Sequence, residues 1–332
     1  MPEFRQNPAT KEWVILAPER GARPRDVPQN VNSTEAATNA YEKDCPFCAG
    51  NEEETLTPSY RYPEQGDWQV RVVPNKYAAL QSDLSTDRHS HGAFLSAGGY
   101  GVADVVVEHP RHDQTLATMS TDEVACVLRA FRDRHREIAA LDRISLVTIF
   151  RNHGVRAGTS LRHPHSQIIA TPIVPPHVRD PIYRAMMHYD ETGQCVYCHM
   201  VEEELRQEKR IVMDTKSFLA FCPFAARSPF ESRIYPKRHL PSFHLANDAE
   251  LIELAEVLRV LLKRIYVGLD NPDYNFIIRS APVGDHDVRY MHWYMVIVPR
   301  LATAAGFEIG TGIYVNTVSP EESARVLRET KP

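Results

Sequence analysis

Apolar positions recur at helical spacing in two long stretches of the chain and at strand spacing in several short ones. From about Thr121, the residues Val124, Val127, Leu128, Phe131 and Ile138 fall on one face. From about Asp248, Leu251, Leu254, Leu258, Leu261 and Leu262 do the same. Thr121 and Asp248 are the expected N-caps of these helices. Each helix is preceded by a Pro-containing apolar run, Arg71–Tyr77 in one case and Phe218–Phe224 in the other, and then by a strand-like run ending near Pro and His, within 104–112 and 230–239. Each is followed by a strand, Ser145–Phe150 or Tyr274–Arg279, and by a His-bearing strand, His163–Ala170 or His292–Val298. A C-x-x-C pair opens each series, at Cys45/Cys48 and Cys195/Cys198.

The same order occurring twice predicts an internal duplication and an α+β fold, each unit being an antiparallel sheet with packed helices. The Pro-rich stretch Thr171–Pro176 is the natural seam, giving units 1–175 and 176–332. Pro24–Lys43 and Gln81–Gly99 carry few apolar residues and are expected to be loops, the mobile parts of the chain.

Composition narrows the class. The 332 residues are 43% hydrophobic and 24% charged, as in soluble globular proteins rather than disordered or fibrous ones. The net charge of −5 supplies no overall basic field, so no nucleic-acid partner is expected and any phosphate site must be local. No secretory signal and no apolar run of about 18–20 residues is found, so a cytoplasmic protein without a membrane partner is expected.

In such a compartment thiols stay reduced, and C-x-x-C points to metal or redox chemistry rather than to a structural disulfide. A redox pair would sit at a helix N-terminus in a βαβ pattern, a context the sequence does not offer. Zinc takes four sulfur or nitrogen ligands in a tetrahedron, and one C-x-x-C turn supplies two thiolates. Two histidines at corresponding places in each unit complete two sets: Cys45, Cys48, His112 and His163; and Cys195, Cys198, His239 and His292. Both sets are closed, so two structural Zn²⁺ ions per chain are expected. His109 and His244 lie near these ligands and are the available substitutes; His89 and His91 read as solvated.

The densest polar segment is Phe150–Gln167, with two glycines, a Thr-Ser pair and a His-x-His-x-Gln run. The backbone and hydroxyls of Gly158, Thr159 and Ser160 suit a phosphate. His165 and Gln167 share one face of the following strand. An imidazole can attack phosphorus to form a phosphoramidate, and an adjacent amide can stabilise phosphoryl oxygens. In the second unit His292-Trp293-Tyr294 stands where the first has His163-Pro164-His165. The metal-type histidine persists and the second becomes Tyr, as expected if one unit alone performs chemistry.

These residues resemble the galactose-1-phosphate uridylyltransferase branch of the histidine triad superfamily, through Asn7–Ile15, Arg20–Pro24, Cys45–Cys48, Arg71–Tyr77 and Gly158–Gln167. The resemblance implies histidine-triad-like units and nucleotidyl transfer by double displacement. It makes His165 the nucleophile and Gln167 the phosphate-stabilising amide. It assigns Ser160, Asn152 and Asn75 to phosphate or ribose, Arg20 and Arg23 to an arginine pair near the phosphates, and Cys45, Cys48, His112 and His163 to zinc. It further implies a homodimer whose active sites draw on both subunits. The arginine pair Arg20 and Arg23 is one element, and the Gly306–Gly312 segment with Phe307, Glu308 and Gly310 is another; one or both are expected to reach the partner's pocket.

Two departures from the best-known uridylyltransferases point to the ADP-glucose phosphorylase branch. The second metal set is Cys2His2 rather than one with Glu and His-x-His, and Thr311-Gly312 replaces a Tyr-Glu pair. The run Glu191–Cys195 points the same way. The leading expectation is transfer of UMP between UDP-glucose and a hexose 1-phosphate such as galactose 1-phosphate. The alternative is phosphorolysis of ADP-glucose with inorganic phosphate as acceptor. A hydrolase is disfavoured, because Gln167 occupies the place of the acid-donating histidine. A non-catalytic zinc-stabilised nucleotide-binding protein is the reading from another class.

Overall fold

A computed structural model describes residues 1–22, 39–285 and 287–332. Its strands are β1 (Glu3–Gln6), β2 (Trp13–Leu16), β3 (Tyr60–Tyr62), β4 (Val70–Pro74), β5 (Arg88–His91), β6 (Phe94–Ala97), β7 (Val102–Val107), β8 (Leu146–His153) and β9 (His165–Thr171). The series continues with β10 (Ile211–Asp214), β11 (Phe218–Phe221), β12 (Ser232–Pro236), β13 (Tyr274–Arg279), β14 (Tyr294–Pro299) and β15 (Tyr314–Asn316). The α-helices are α1 (Thr121–Ala139), α2 (Pro176–Thr192), α3 (Val196–Gln207), α4 (Asp248–Gly268), α5 (Gly306–Thr311) and α6 (Pro320–Glu329).

The duplication expected from the sequence is present as two matched five-strand series, β3-β4-β7-β9-β8 and β10-β11-β12-β14-β13. The two series are not separate sheets. β8 pairs with β13, so they form one ten-stranded sheet related end to end, with every neighbouring pair antiparallel. The two long helices cover one face. The residues expected on their apolar faces are buried, in a core that draws on both helices and both series of strands. The C-terminal helix α6 packs beside α4, adding Ala324 and Leu327 to the same core.

The helix starts differ by one residue from the expectation. Ser120, not Thr121, caps α1, and Asn247, not Asp248, caps α4. The reason is the capping box: Glu123 and Glu250 reach back three positions to the cap backbone, and each cap side chain accepts from the glutamate's N–H. The segment Gln81–Gly99 also differs. It holds the exposed hairpin β5–β6, turned by Gly92 at φ 62°, rather than an irregular loop. Most of Pro24–Lys43 lies outside the described residues.

Where α1 passes the loop before α4, His135 is buried against His244, with ring centroids 4.8 Å apart. Burial first, then the neighbouring imidazole, holds the His135 pKa down to about 3. The unfolded chain takes up a proton there near pH 6.5 and the folded chain does not, so this contribution is complete above about pH 6.5 and lost as pH falls toward 3. Thermal unfolding should therefore move to lower temperature between pH 7 and pH 5. In His135→Leu that drop should be measurably smaller; an unchanged pH dependence would exclude His135 as its source.

Candidate active site

The first proposed metal set is assembled by three separate parts of the first unit. Cys45 and Cys48 come from a turn before β3, His112 from the loop after β7, and His163 from the approach to β9. Their ligand atoms lie within 4.8 Å of one another. Cys48 Sγ is 3.6 Å from Nδ1 of His112 and 3.6 Å from Nδ1 of His163, and the two Nδ1 atoms are 3.3 Å apart. A zinc tetrahedron with ordinary bond lengths has S···N edges of about 3.6 Å and N···N edges of about 3.3 Å. His163 Nε2 donates to the His109 carbonyl at 2.7 Å, which leaves Nδ1 with its lone pair. Burial holds His163 at a pKa of about 3, the neutral ligand form, while burial pushes the Cys45 thiol up to about 11. A divalent cation is the partner that would hold Cys45 and Cys48 as thiolates.

Cys195, Cys198, His239 and His292 form the second set, also with ligand atoms within 4.8 Å. Cys198 Sγ lies 3.3 Å from Nδ1 of both histidines. Here Cys195 is the N-cap of α3, so this C-x-x-C does sit at a helix start, contrary to the sequence reading. The helix follows α2 rather than a strand, so the βαβ surroundings of a redox pair are still lacking. All six cysteines are free thiols. His109 and His244 are not in either set: His109 bonds Glu123 and the Arg111 N–H, and His244 bonds Ser242 and packs on His135.

The first set leads directly into the candidate nucleophile. His165 opens β9, two residues past His163, and packs at 5.6 Å against Phe47 of the C-x-x-C turn. Its Nδ1 donates to the His163 carbonyl at 2.8 Å. That bond fixes the tautomer, with the lone pair on Nε2. Burial lowers the His165 pKa, so the ring is neutral and able to attack. Gln167 follows on the same face and pairs with Phe150 of β8 and Val105 of β7. Among the described residues its amide bonds no protein group, which leaves it available to a ligand.

Beside this pair runs the phosphate-type loop. Gly154 and Gly158 hold φ of 83° and 92°, and between them lies a single 3₁₀ turn, 155–157. Thr159 N–H returns to the Gly154 carbonyl, the Thr159 hydroxyl bonds the Leu161 carbonyl, and Ser160 is exposed. Asn152 leaves β8 next to this loop. Asn75 closes a turn after β4, its side-chain oxygen accepting from Tyr77 N–H and its amide nitrogen left free to donate.

Residues that the sequence reading did not single out hold this loop and strand. Asn275 of the second unit donates to Asn152 Oδ1 at 2.7 Å and to the Ala157 carbonyl at 2.9 Å, and Asp273 accepts from Arg156 N–H. Beneath β9, fully buried Glu108 accepts from Arg151 through both oxygens at 3.0 Å and from the Ser166 hydroxyl. Arg151 also donates to Tyr274 OH at 2.8 Å. Only the alternation of β8 and β9 hinted that Arg151 and Ser166 face inward; no local signal joined them to Glu108.

The remaining predicted residues fall elsewhere. Arg20, exposed on a short 3₁₀ turn, helps hold the Glu308 carboxyl below its usual range, after the Glu308 backbone N–H. Phe307 and Gly310 are exposed on α5. No hydrogen bond or ion pair among the described residues joins Arg20, Phe307, Glu308 or Gly310 to His165. Arg23 lies outside the described residues.

A duplicated antiparallel unit with a histidine–zinc-type cluster beside a His-x-Gln strand defines a histidine-triad-like nucleotidyltransferase architecture. Residues 1–175 match the family model described as galactose-1-phosphate uridyl transferase, N-terminal domain. The chain is 36% identical to ADP-glucose phosphorylase of Arabidopsis thaliana, over 99% of this chain and 93% of that one. It is 33% identical to galactose-1-phosphate uridylyltransferase of Thermotoga maritima, over 100% and 99%. A crystal structure of an Arabidopsis thaliana ADP-glucose phosphorylase with bound ADP-glucose superposes with a TM-score of 0.87 at 35% identity, covering 100% of this chain and 99% of that one. The chain belongs to the galactose-1-phosphate uridylyltransferase family, and it is an enzyme of that uridylyltransferase type. No helix among the described residues is long and apolar enough to cross a membrane.

Protein purified without chelator should contain up to two zinc ions per chain by elemental analysis. Cys48→Ser and Cys198→Ser should each remove one. A full zinc content in both variants would reject these ligand sets.

Proposed function

We propose that the enzyme transfers a nucleotide by double displacement through His165, with ADP-glucose as donor and inorganic phosphate as acceptor. The observation that carries the covalent step is the Nδ1 bond to the His163 carbonyl, which aims a neutral Nε2 lone pair out of the sheet beside Gln167. Nε2 attacks the α-phosphorus, and the bond from phosphorus to the bridging oxygen breaks. Glucose 1-phosphate leaves as a phosphate anion that needs no proton. The Gln167 amide donates to a non-bridging oxygen as charge shifts onto it. The His163 carbonyl meanwhile faces the Nδ1–H of a ring that has become cationic. An oxygen of inorganic phosphate then attacks the same phosphorus, the P–N bond breaks, ADP is formed and neutral His165 is restored.

Ser160 offers its backbone N–H and hydroxyl to the phosphates from a loop that Gly158 and Thr159 shape through their own bonds to the Val155, Gly154 and Leu161 carbonyls, and Asn152 and Asn75 offer their amides to phosphate or ribose. Zinc, when bound, ties the C-x-x-C turn to the start of β9 and supplies rigidity rather than reactivity. The ADP-glucose reading rests on the Cys2His2 second set, on Thr311-Gly312, and on the similarity to ADP-glucose phosphorylase. UMP transfer between UDP-glucose and galactose 1-phosphate is the second reading, supported by the relative from Thermotoga maritima.

A two-fold homodimer belongs to the same proposal. Phe307 is 49% and Ile309 78% exposed on α5, and Arg20 beside them has no bond to its own chain's His165. Such elements would serve the partner's site. We further propose that the enzyme acts in the cytoplasm.

ADP-glucose and UDP-glucose, each with phosphate or galactose 1-phosphate, separate the two readings by product; galactose-dependent UMP transfer without phosphorolysis would reverse the choice. His165→Asn should abolish label retained from an α-³²P nucleotide sugar and nearly all turnover. Retained acid-labile label in that variant would mean another nucleophile. Gln167→Ala should slow both half-reactions by roughly 10²–10³ if it acts as one oxyanion-type donor.

A further inference from the structure

A pocket of about 440 Å³ lies on the second unit's share of the open sheet face. Strand register identifies what it replaces. In the first unit the β8–β9 ladder pairs Phe150 with Gln167 and runs out toward Asn152 and His165. In the second unit the β13–β14 ladder pairs Ile277 with Val296 and Arg279 with Tyr294. His163 and His292 align the two, each standing two residues before the position compared. Tyr294 therefore takes the place of His165, Val296 that of Gln167, and Arg279 that of Asn152. All three line the pocket. The face has lost its imidazole and its amide donor and has gained a guanidinium.

That guanidinium is uncompensated. Arg227 is paired with Glu12 and Arg233 with Glu231. Glu308, on the rim, turns its carboxylate to the Ala305 N–H. Arg300 meets only the neutral side chain of Asn275. The Arg279 side chain, half-buried, forms no hydrogen bond or ion pair among the described residues. A cation withdrawn from water without a partner is the arrangement that a bound anion satisfies. The pocket is large enough for more than a bare anion, since ligand clefts run to about 300–1,000 Å³. Ile277, Val296 and Val298 provide apolar walls. Tyr294 is stacked on Tyr235 at 4.8 Å and 14°, with Arg233 5.6 Å from its ring.

We propose that this pocket is a second ligand site, distinct from that at His165, which binds a small phosphate monoester bearing hydroxyl groups, a sugar phosphate or a mononucleotide, through Arg279 and performs no chemistry on it.

Equilibrium dialysis of the intact protein with glucose 1-phosphate and with AMP tests this. At least one of the two should show two classes of site per chain. Arg279→Gln, which keeps most of the aliphatic stem, should weaken one class by roughly 10- to 100-fold, the loss expected for a hydrogen-bonded charge. The other class and the initial rate of nucleotidyl transfer should stay unchanged. Inorganic phosphate should bind the Arg279 class at least about tenfold more weakly than the esters, having no body to fill the pocket. Val296→Phe, which fills the pocket floor, should remove the same class and covers a failure of the first variant to fold. A single class of site for both ligands, two classes that survive both substitutions, or inorganic phosphate binding as tightly as the esters would overturn the proposal.

Discussion

The pairing of β8 with β13 is the constraint on which the rest of the molecule depends. It joins five residues of each strand, from Tyr274 opposite His153 to Ile278 opposite Ile149, and so turns two matched units into one sheet. Because side chains alternate along a strand, a slip of one residue there would exchange the core and open faces of the whole junction. The register puts Asn275 opposite Asn152. From there its amide also reaches the Ala157 carbonyl, so the second unit fixes the loop that the first presents to phosphate. The unit that lacks the candidate nucleophile thus shapes the site of the unit that has it.

Positioning at His165 is redundant. The ring is oriented by a backbone carbonyl two residues earlier and by the Phe47 ring, and its strand is anchored below by Ser166 and Glu108. Phe47 and His163 both belong to the first cysteine–histidine cluster or its turn. Metal binding there would therefore act on the reacting group through geometry alone. Each of these restraints removes freedom that a phosphoryl transfer would otherwise have to overcome at the barrier.

Much of this was legible in the sequence because it is periodic or repeated. The two long helices and the shared face of His165 and Gln167 follow from spacing within single segments, and the duplication and both cysteine–histidine sets from one order of motifs that occurs twice. What was not legible is contact between segments that no repeat marks. Nothing local in Asn275 or Asp273 announces a partner more than 100 residues away. The merging of two sheets into one likewise depends on two strand edges, each of which reads like any other. The one-residue error at the helix starts has a simpler cause: Thr121 and Asp248 are themselves good caps, and only the reach of Glu123 and Glu250 selects their predecessors. The hairpin at β5–β6 lacked the apolar alternation that marks a strand, since both of its faces meet water.

The Glu108–Arg151–Tyr274 network also bears on how such a chain can change over generations. Glu108 and Arg151 are both fully enclosed, and each is the other's principal counter-charge. Replacing one alone strands a charge in a medium that cannot solvate it, at a cost of about 3–5 kcal/mol, comparable with much of a domain's net stability. Replacing both with apolar side chains of similar volume can be close to neutral. The two positions are therefore locked to one another. Homologues that lack one should lack both, and Tyr274, which shares the Arg151 guanidinium across the unit boundary, should drift only after the pair has gone.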